Sequence, residues 1–182
     1  MKEEQKGIKL YNLIFPFWAL VWLPTWLWLI LIPANYVLDR TVFTIFGKRM
    51  NPNLTNHFFR KHTWKLWLLG FLSDFIGSAL LLLPLMIPFP EKAYTNNSLF
   101  SMRKILHALQ FNAFHNPFSF AYTVFAIAVA GLFIYMFDRR VIYRTGEFTK
   151  KQANKIALFM AIFTAPYLYL LPTQFIYHLF YY

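Results

Sequence analysis

Four long stretches of this chain carry almost no charge. Leu10 to Leu38 has none, and Leu66 to Pro90 has only Asp74. Ile105 to Phe137 and Ile156 to Tyr182 have none. A helix needs about 20 apolar residues to cross the hydrocarbon core of a bilayer, and each stretch is long enough. The remaining sequence cannot make a soluble surface for them. Only 14% of the 182 residues are charged, against 58% hydrophobic and 21% aromatic, whereas a soluble domain averages about 25% charged. The same balance excludes an intrinsically disordered chain. There are 0 Cys, which removes a disulfide framework, Cys-ligated zinc, iron–sulfur clusters and thiol chemistry. The sequence therefore predicts an all-α fold: a polytopic integral membrane helical bundle in the cell membrane.

Charge supplies a topology. The formal net charge is +11, and its placement points away from nucleic acid. The basic residues fall between apolar runs and line no single polar helix face. Arg40, Lys48, Arg49, Arg60, Lys61 and Lys65 lie between the first two stretches. Arg139, Arg140, Arg144, Lys150, Lys151 and Lys155 lie between the last two. The positive-inside bias makes both loops cytoplasmic, facing a lipid bilayer with anionic head groups, and leaves the C-terminus outside.

The first stretch admits two readings. From Leu10 to Phe46, one helix would be about 55 Å long, too much for a bilayer core of about 30 Å. Pro16, Pro24 and Pro33 interrupt it. A hairpin turning at Leu23-Pro24-Thr25 keeps Lys2, Lys6 and Lys9 inside, and the crowd of Trp18, Trp22, Trp26 and Trp28 suits a tip at the outer interface. The favoured fold is thus an N-terminal Pro-broken hairpin plus three further transmembrane helices. The alternative is four transmembrane helices with a kinked first span. The single membrane domain 1–182 divides into the hairpin or kinked span 10–46, a basic loop 47–65, a span 66–87, an outer loop 88–117, a span 118–137, a second basic loop 138–155 and a span 156–177. Within 88–117, Met102, Ile105, Leu106 and Leu109 recur at helical spacing opposite Arg103, Lys104 and His107, which reads as an interfacial helix. Asn116-Pro117 starts the next span, with proline near the first helical position.

Two helices reaching the cytoplasmic side end alike, in Leu38-Asp39-Arg40 and in Phe137-Asp138-Arg139-Arg140. Their returning partners carry Leu82-Leu83-Pro84 and Leu170-Leu171-Pro172. This echo is compatible with two parallel out–in–out repeats. It is equally compatible with border pairs, in which Asp offsets a snorkelling Arg.

Asp74 is the most informative residue. It lies about 13 Å along a helix from Lys65, near the midplane. An ionisable side chain at that depth costs about 2.5–3.5 kcal/mol and marks a candidate functional position. Its face carries Gly70, Gly77 and Ser78, small enough for another helix to approach, so Asp74 should face protein. Asn35, about 15 Å below Thr25, and Thr164, about 13 Å beyond Lys155, reach similar depth. Asp39 follows Asn35 on the same face. Pro166 lacks an amide hydrogen and frees the Ile162 carbonyl, with Tyr167 beside it. The predicted intramembrane polar cluster is Asn35, Asp39, Asp74, Ser78, Thr164 and Tyr167. It serves either as an ion or proton site or as a hydrogen-bonded knot that fixes helix register.

Other chemistry is thinly represented. The 5 His are scattered without metal-binding spacing, and 6 widely separated Gly build no phosphate loop. No nucleophile–base order and no paired carboxylates occur within a span. The expectation is a protein without catalytic residues, cofactor or metal. It would be a small membrane subunit or docking partner of a soluble or membrane complex, with Arg139, Arg140 and Arg144 in the docking surface. The alternative is an oligomeric pore or small transporter with Asp74 in its polar path. Ala121, Ala126, Ala130 and Gly131 favour helix packing and oligomers, a homo-oligomer among them.

Overall fold

The computed structural model describes residues 18–19, 22, 27–95 and 100–173. Among them the chain is helical, without strands. Helix α1 spans Trp28–Met50, α2 Asn56–Met86, α3 Glu91–Thr95, α4 Met102–Phe111, α5 Pro117–Tyr143 and α6 Lys150–Thr164. Short 3-10 turns cover Ala113–His115 and Tyr167–Leu170. Four segments are long and apolar enough to cross a membrane: α1, α2, α5, and α6 with the turn that follows it. They close into a four-helix arrangement. Helices α2 and α6 each pack against both α1 and α5.

The helix starts follow from local capping. The Thr55 hydroxyl accepts from the Phe58 amide at 3.3 Å. Thr149 and Gln152 form a reciprocal capping box. Asn116 Oδ1 accepts from the amides of Phe118 at 2.9 Å and Ser119 at 3.3 Å, with Pro117 opening the helix where its missing amide hydrogen costs nothing. Between α5 and α6 the chain turns through Gly146 at φ 78°, a conformation glycine adopts without penalty.

These caps correct the expected loop lengths. The loops drawn at 47–65 and 138–155 shrink to the connections 51–55 and 144–149. Lys48, Arg49, Arg60, Lys61, Lys65, Arg139 and Arg140 therefore lie on helix ends. Long basic side chains are good helix formers, so the helices continue past their apolar runs. Pro33 likewise does not interrupt α1, which runs through it. Two hydrogen bonds join the short connections: Asn51 Nδ2 donates to the Glu147 carbonyl at 3.2 Å, and Gln152 Nε2 to the Met50 carbonyl at 3.1 Å. The basic ends of all four long helices thus share one end of the bundle.

The opposite correction applies to the last span, drawn as 156–177. Helix α6 stops at Thr164. Ala165 is extended, with φ −57° and ψ 151°, as the residue before a proline prefers. Residues 174–177 lie outside the described residues, as do the expected turn at Leu23-Pro24-Thr25, most of the arm leading to it, and Lys2, Lys6 and Lys9.

Small residues set the closest approaches. A Cβ built on Gly77 would lie 3.0 Å from Ala130 Cβ and 3.3 Å from the Ala126 carbonyl oxygen. Ala126 and Ala130 are fully buried. They pack α5 on α2 within one chain, the close helix packing that small residues favour. Towards the basic end a core forms around Phe43, Phe59, Leu66, Ile142, Ile156 and Met160. Towards the other end Leu81, Leu109, Ile127, Tyr169 and Trp18 form a second. The amphipathic α4 lies at this second end. Trp18 Nε1 donates to the Leu109 carbonyl at 3.0 Å, and the Ser119 hydroxyl to that of Ile105 at 2.7 Å.

Candidate functional site: a cavity lined by Asp74

The break after Thr164 removes the helical turn that would otherwise fill the space between α1 and α2. A cavity of about 300 Å³ occupies that space. Asn35 of α1, Asp74 of α2, Thr164 at the end of α6, and Tyr167 all line it. Depth counting along three stretches of sequence placed these four of the six cluster residues at one level, and the cavity is where they meet. The cavity walls also carry Trp28, Phe71, Phe163 and Tyr169. Its rim is apolar and open: Leu38 is 43% exposed, Phe163 52% and Leu168 45%. On a helix that crosses a membrane, such a rim faces the acyl chains.

Two tyrosines hold the broken segment in place. The Tyr167 hydroxyl donates to the Ile162 carbonyl at 2.6 Å, the acceptor that Pro166 leaves free. The Tyr169 hydroxyl donates to the Asp74 main-chain carbonyl at 2.6 Å. Proline is answered the same way in α2. Pro84 releases the Leu80 carbonyl, and the Tyr122 hydroxyl donates to it at 2.7 Å. Backbone groups inside a bilayer need such partners, because no water is there to supply them.

Asp74 itself is not satisfied. Its Oδ1 is buried and has no hydrogen-bond partner. In a protein interior this leaves an acceptor stripped of water without replacement, at a cost of about 1–3 kcal/mol or more for a charged group. Asn35 and Thr164 are the other polar side chains of the lining apart from the aromatic hydroxyls and the Trp28 indole. The Thr164 hydroxyl already donates to the Met160 carbonyl at 2.8 Å. Among the described residues, no basic side chain lines the cavity.

The other two cluster residues fall elsewhere. Ser78 is buried one turn further along α2, where its hydroxyl accepts from Trp22 Nε1 at 2.9 Å and donates to the Phe75 carbonyl at 3.0 Å. Asp39 lies outside the lining. Its carboxylate sits 3.7 Å from where a Gly70 Cβ would be, and within hydrogen-bonding reach of Thr164. It is also within electrostatic reach of both Asp74 and Asp138.

Asp138 was read as a border acid and is not one. It is 1% exposed, and its Oδ1 has no hydrogen-bond partner. Asp39, at 7% exposed, is likewise inside. Among the described residues neither acid pairs with a basic side chain. The Asp-Arg pairs split because successive helical residues point about 100° apart, so the acids turn inward. Arg139 turns out over the Tyr135 ring at 5.7 Å. Arg140 and Arg144 are exposed at the basic end. Trp28 corrects a similar expectation: it is a wall of the cavity, not a border residue, with its ring 6.5 Å from that of Phe71.

Among the described residues, no three acidic or imidazole side chains are arranged to hold a metal ion. No protein-family model, curated protein or solved structure matches this chain.

Proposed function

We propose that this chain is a multi-pass membrane protein without a catalytic role, which binds a membrane-dissolved ligand in the cavity around Asp74. A single observation carries this reading. Asp74, whose carboxylate is buried with its Oδ1 lacking a hydrogen-bond partner, is a lining residue of a cavity of about 300 Å³ whose rim is apolar and open. That volume is at the lower end of small-molecule sites. The arrangement suits the carrier form of the expected polar path better than a pore, since the cavity opens at the side of the bundle. A photoreactive test is direct. An alkyl alcohol bearing a diazirine, dissolved in the membrane and irradiated, should attach at Asp74, and Thr164→Phe should abolish the adduct by filling the space. Labelling spread evenly over lipid-facing residues, unchanged by Thr164→Phe, would remove the proposal.

The docking reading has its own support. The hydrogen bonds from Asn51 to Glu147 and from Gln152 to Met50 fuse two short basic connections into one surface. Its exposed charges include Arg60, Lys61, Arg140 and Arg144. The positive-inside bias favours a cytoplasmic position for this end, against anionic head groups or an acidic partner. Neutralising Arg139, Arg140 and Arg144 together should then release a soluble partner recovered in mild detergent. The N-terminal hairpin belongs to the same topology. Trp18 and Trp22 contact the end of the bundle remote from the basic connections, as an arm beside α2 and α4 would. A reporter fused to the N-terminus should read as cytoplasmic for the hairpin and external for a single kinked span.

A further inference from the structure

The walls of the cavity say more about what enters it. We infer that its ligand is an amphiphilic organic cation, an amine or quaternary ammonium head on a short apolar tail, which enters sideways from the lipid. This rests on the reading of the cavity as a binding site and names the class of molecule it takes.

Three features converge on positive charge. The first is the Asp74 carboxylate, with Oδ1 buried and unpartnered. The second is the aromatic wall of Trp28, Phe71, Phe163 and Tyr169, whose ring faces attract a cation, most strongly where water is excluded. The third is the charge balance around the site. Among the described residues no basic side chain lines the cavity, and Asp39 stands within electrostatic reach of Asp74. An anion would meet two acids without a counter-charge. A neutral alcohol would supply one hydrogen bond to Asp74 and do nothing to stabilise its ionised form. A cation supplies both the donor or contact charge and the balance. The open rim at Leu38, Phe163 and Leu168 provides a route for the tail, which stays among acyl chains while the head reaches the acid.

The test uses the full chain in nanodiscs of zwitterionic lipid, with empty discs subtracted. Octyltrimethylammonium and octanol are compared by equilibrium dialysis against wild type, Asp74→Asn and Thr164→Phe. The expected result is saturable binding of the cation, lost in Thr164→Phe and weakened by about tenfold or more in Asp74→Asn. Octanol should bind more weakly and ignore Asp74→Asn. If octanol binds as tightly as the cation, or the cation ignores Asp74→Asn, the inference on charge fails while the cavity reading stands. If neither ligand gives binding sensitive to Thr164→Phe, both fail. A measurement on the unaltered chain avoids dependence on how variants fold. Octyltrimethylammonium should protect the Asp74 carboxyl from a hydrophobic carbodiimide, and octanol should not; equal protection by both, or by neither, overturns the assignment of charge.

Discussion

The hydroxyl of Tyr169 donates to the main-chain carbonyl of Asp74 at 2.6 Å, so the segment after the α6 break is tied to the turn of α2 that carries the acid. One bond thereby links the wall of the cavity to its polar floor. Tyr169→Phe keeps the ring and removes the bond. The expected cost is about 1 kcal/mol of stability, read as a lower melting temperature in detergent. Retention of the cation should weaken with it, because the wall loses its anchor. An unchanged melt and unchanged binding would show that the bond positions nothing.

A double substitution tests how the proline in α2 is accommodated. Tyr122→Phe leaves the Leu80 carbonyl without its donor, at a cost of about 0.6–2 kcal/mol inside a membrane. Pro84→Ala restores a backbone amide that can reach the same carbonyl. In the Pro84→Ala background, Tyr122→Phe should therefore cost little. Equal cost in both backgrounds, measured by denaturant titration of the purified chain, would contradict this pairing.

The contact of α2 with α5 allows no larger side chain at Gly77. With Ala130 Cβ at 3.0 Å and the Ala126 carbonyl at 3.3 Å from an added Cβ, Gly77→Val should overpack the contact and destabilise by about 1–3 kcal/mol. Gly131 is looser, with its nearest neighbour at 3.6 Å, so Gly131→Ala should be tolerated. Thermal melts of the two variants should differ in that order.

Asp138 carries a different expectation. It is buried, and nothing among the described residues donates to its Oδ1. An isosteric amide removes the charge and breaks no hydrogen bond at Oδ1. Asp138→Asn should keep or raise the melting temperature and leave cation binding in place, since Asp138 is not part of the cavity lining. A loss of fold would show that the carboxylate has a partner essential to the bundle.

Much of this was legible in the sequence, and the reason is depth. Helical rise converts residue count into height, so Asp74 and Thr164, with Tyr167 beside it, could be placed at one level by counting from Lys65 and Lys155, and Asn35 by counting from Thr25. The release of the Ile162 carbonyl by Pro166 was also readable, because proline lacks the amide hydrogen wherever it stands. Rotation was less accessible. Counting from Lys65 gives Asp74 a height, but it does not say that Phe71 and Trp28 turn towards the same space or that Ser78 turns to Trp22. Asp138 was misread for a related reason. It sits beside an arginine in sequence, yet adjacent residues on a helix point in different directions, and the acid faces the interior. The break in α6 had its signal in Ala165-Pro166. What the sequence did not supply was its consequence, a missing turn of helix between two neighbours.

A membrane-dissolved ligand at Asp74 requires that lipophilic molecules reach this acid before the two other buried acids. The order in which a membrane-soluble carbodiimide modifies the three in native membranes, mapped by peptide mass spectrometry, measures this. Asp74 should react first and be shielded by Thr164→Phe, with Asp39 and Asp138 reacting slowly or not at all. Modification of Asp138 as fast as Asp74, or an Asp74 that stays unmodified while the reagent labels other acids, would contradict that requirement.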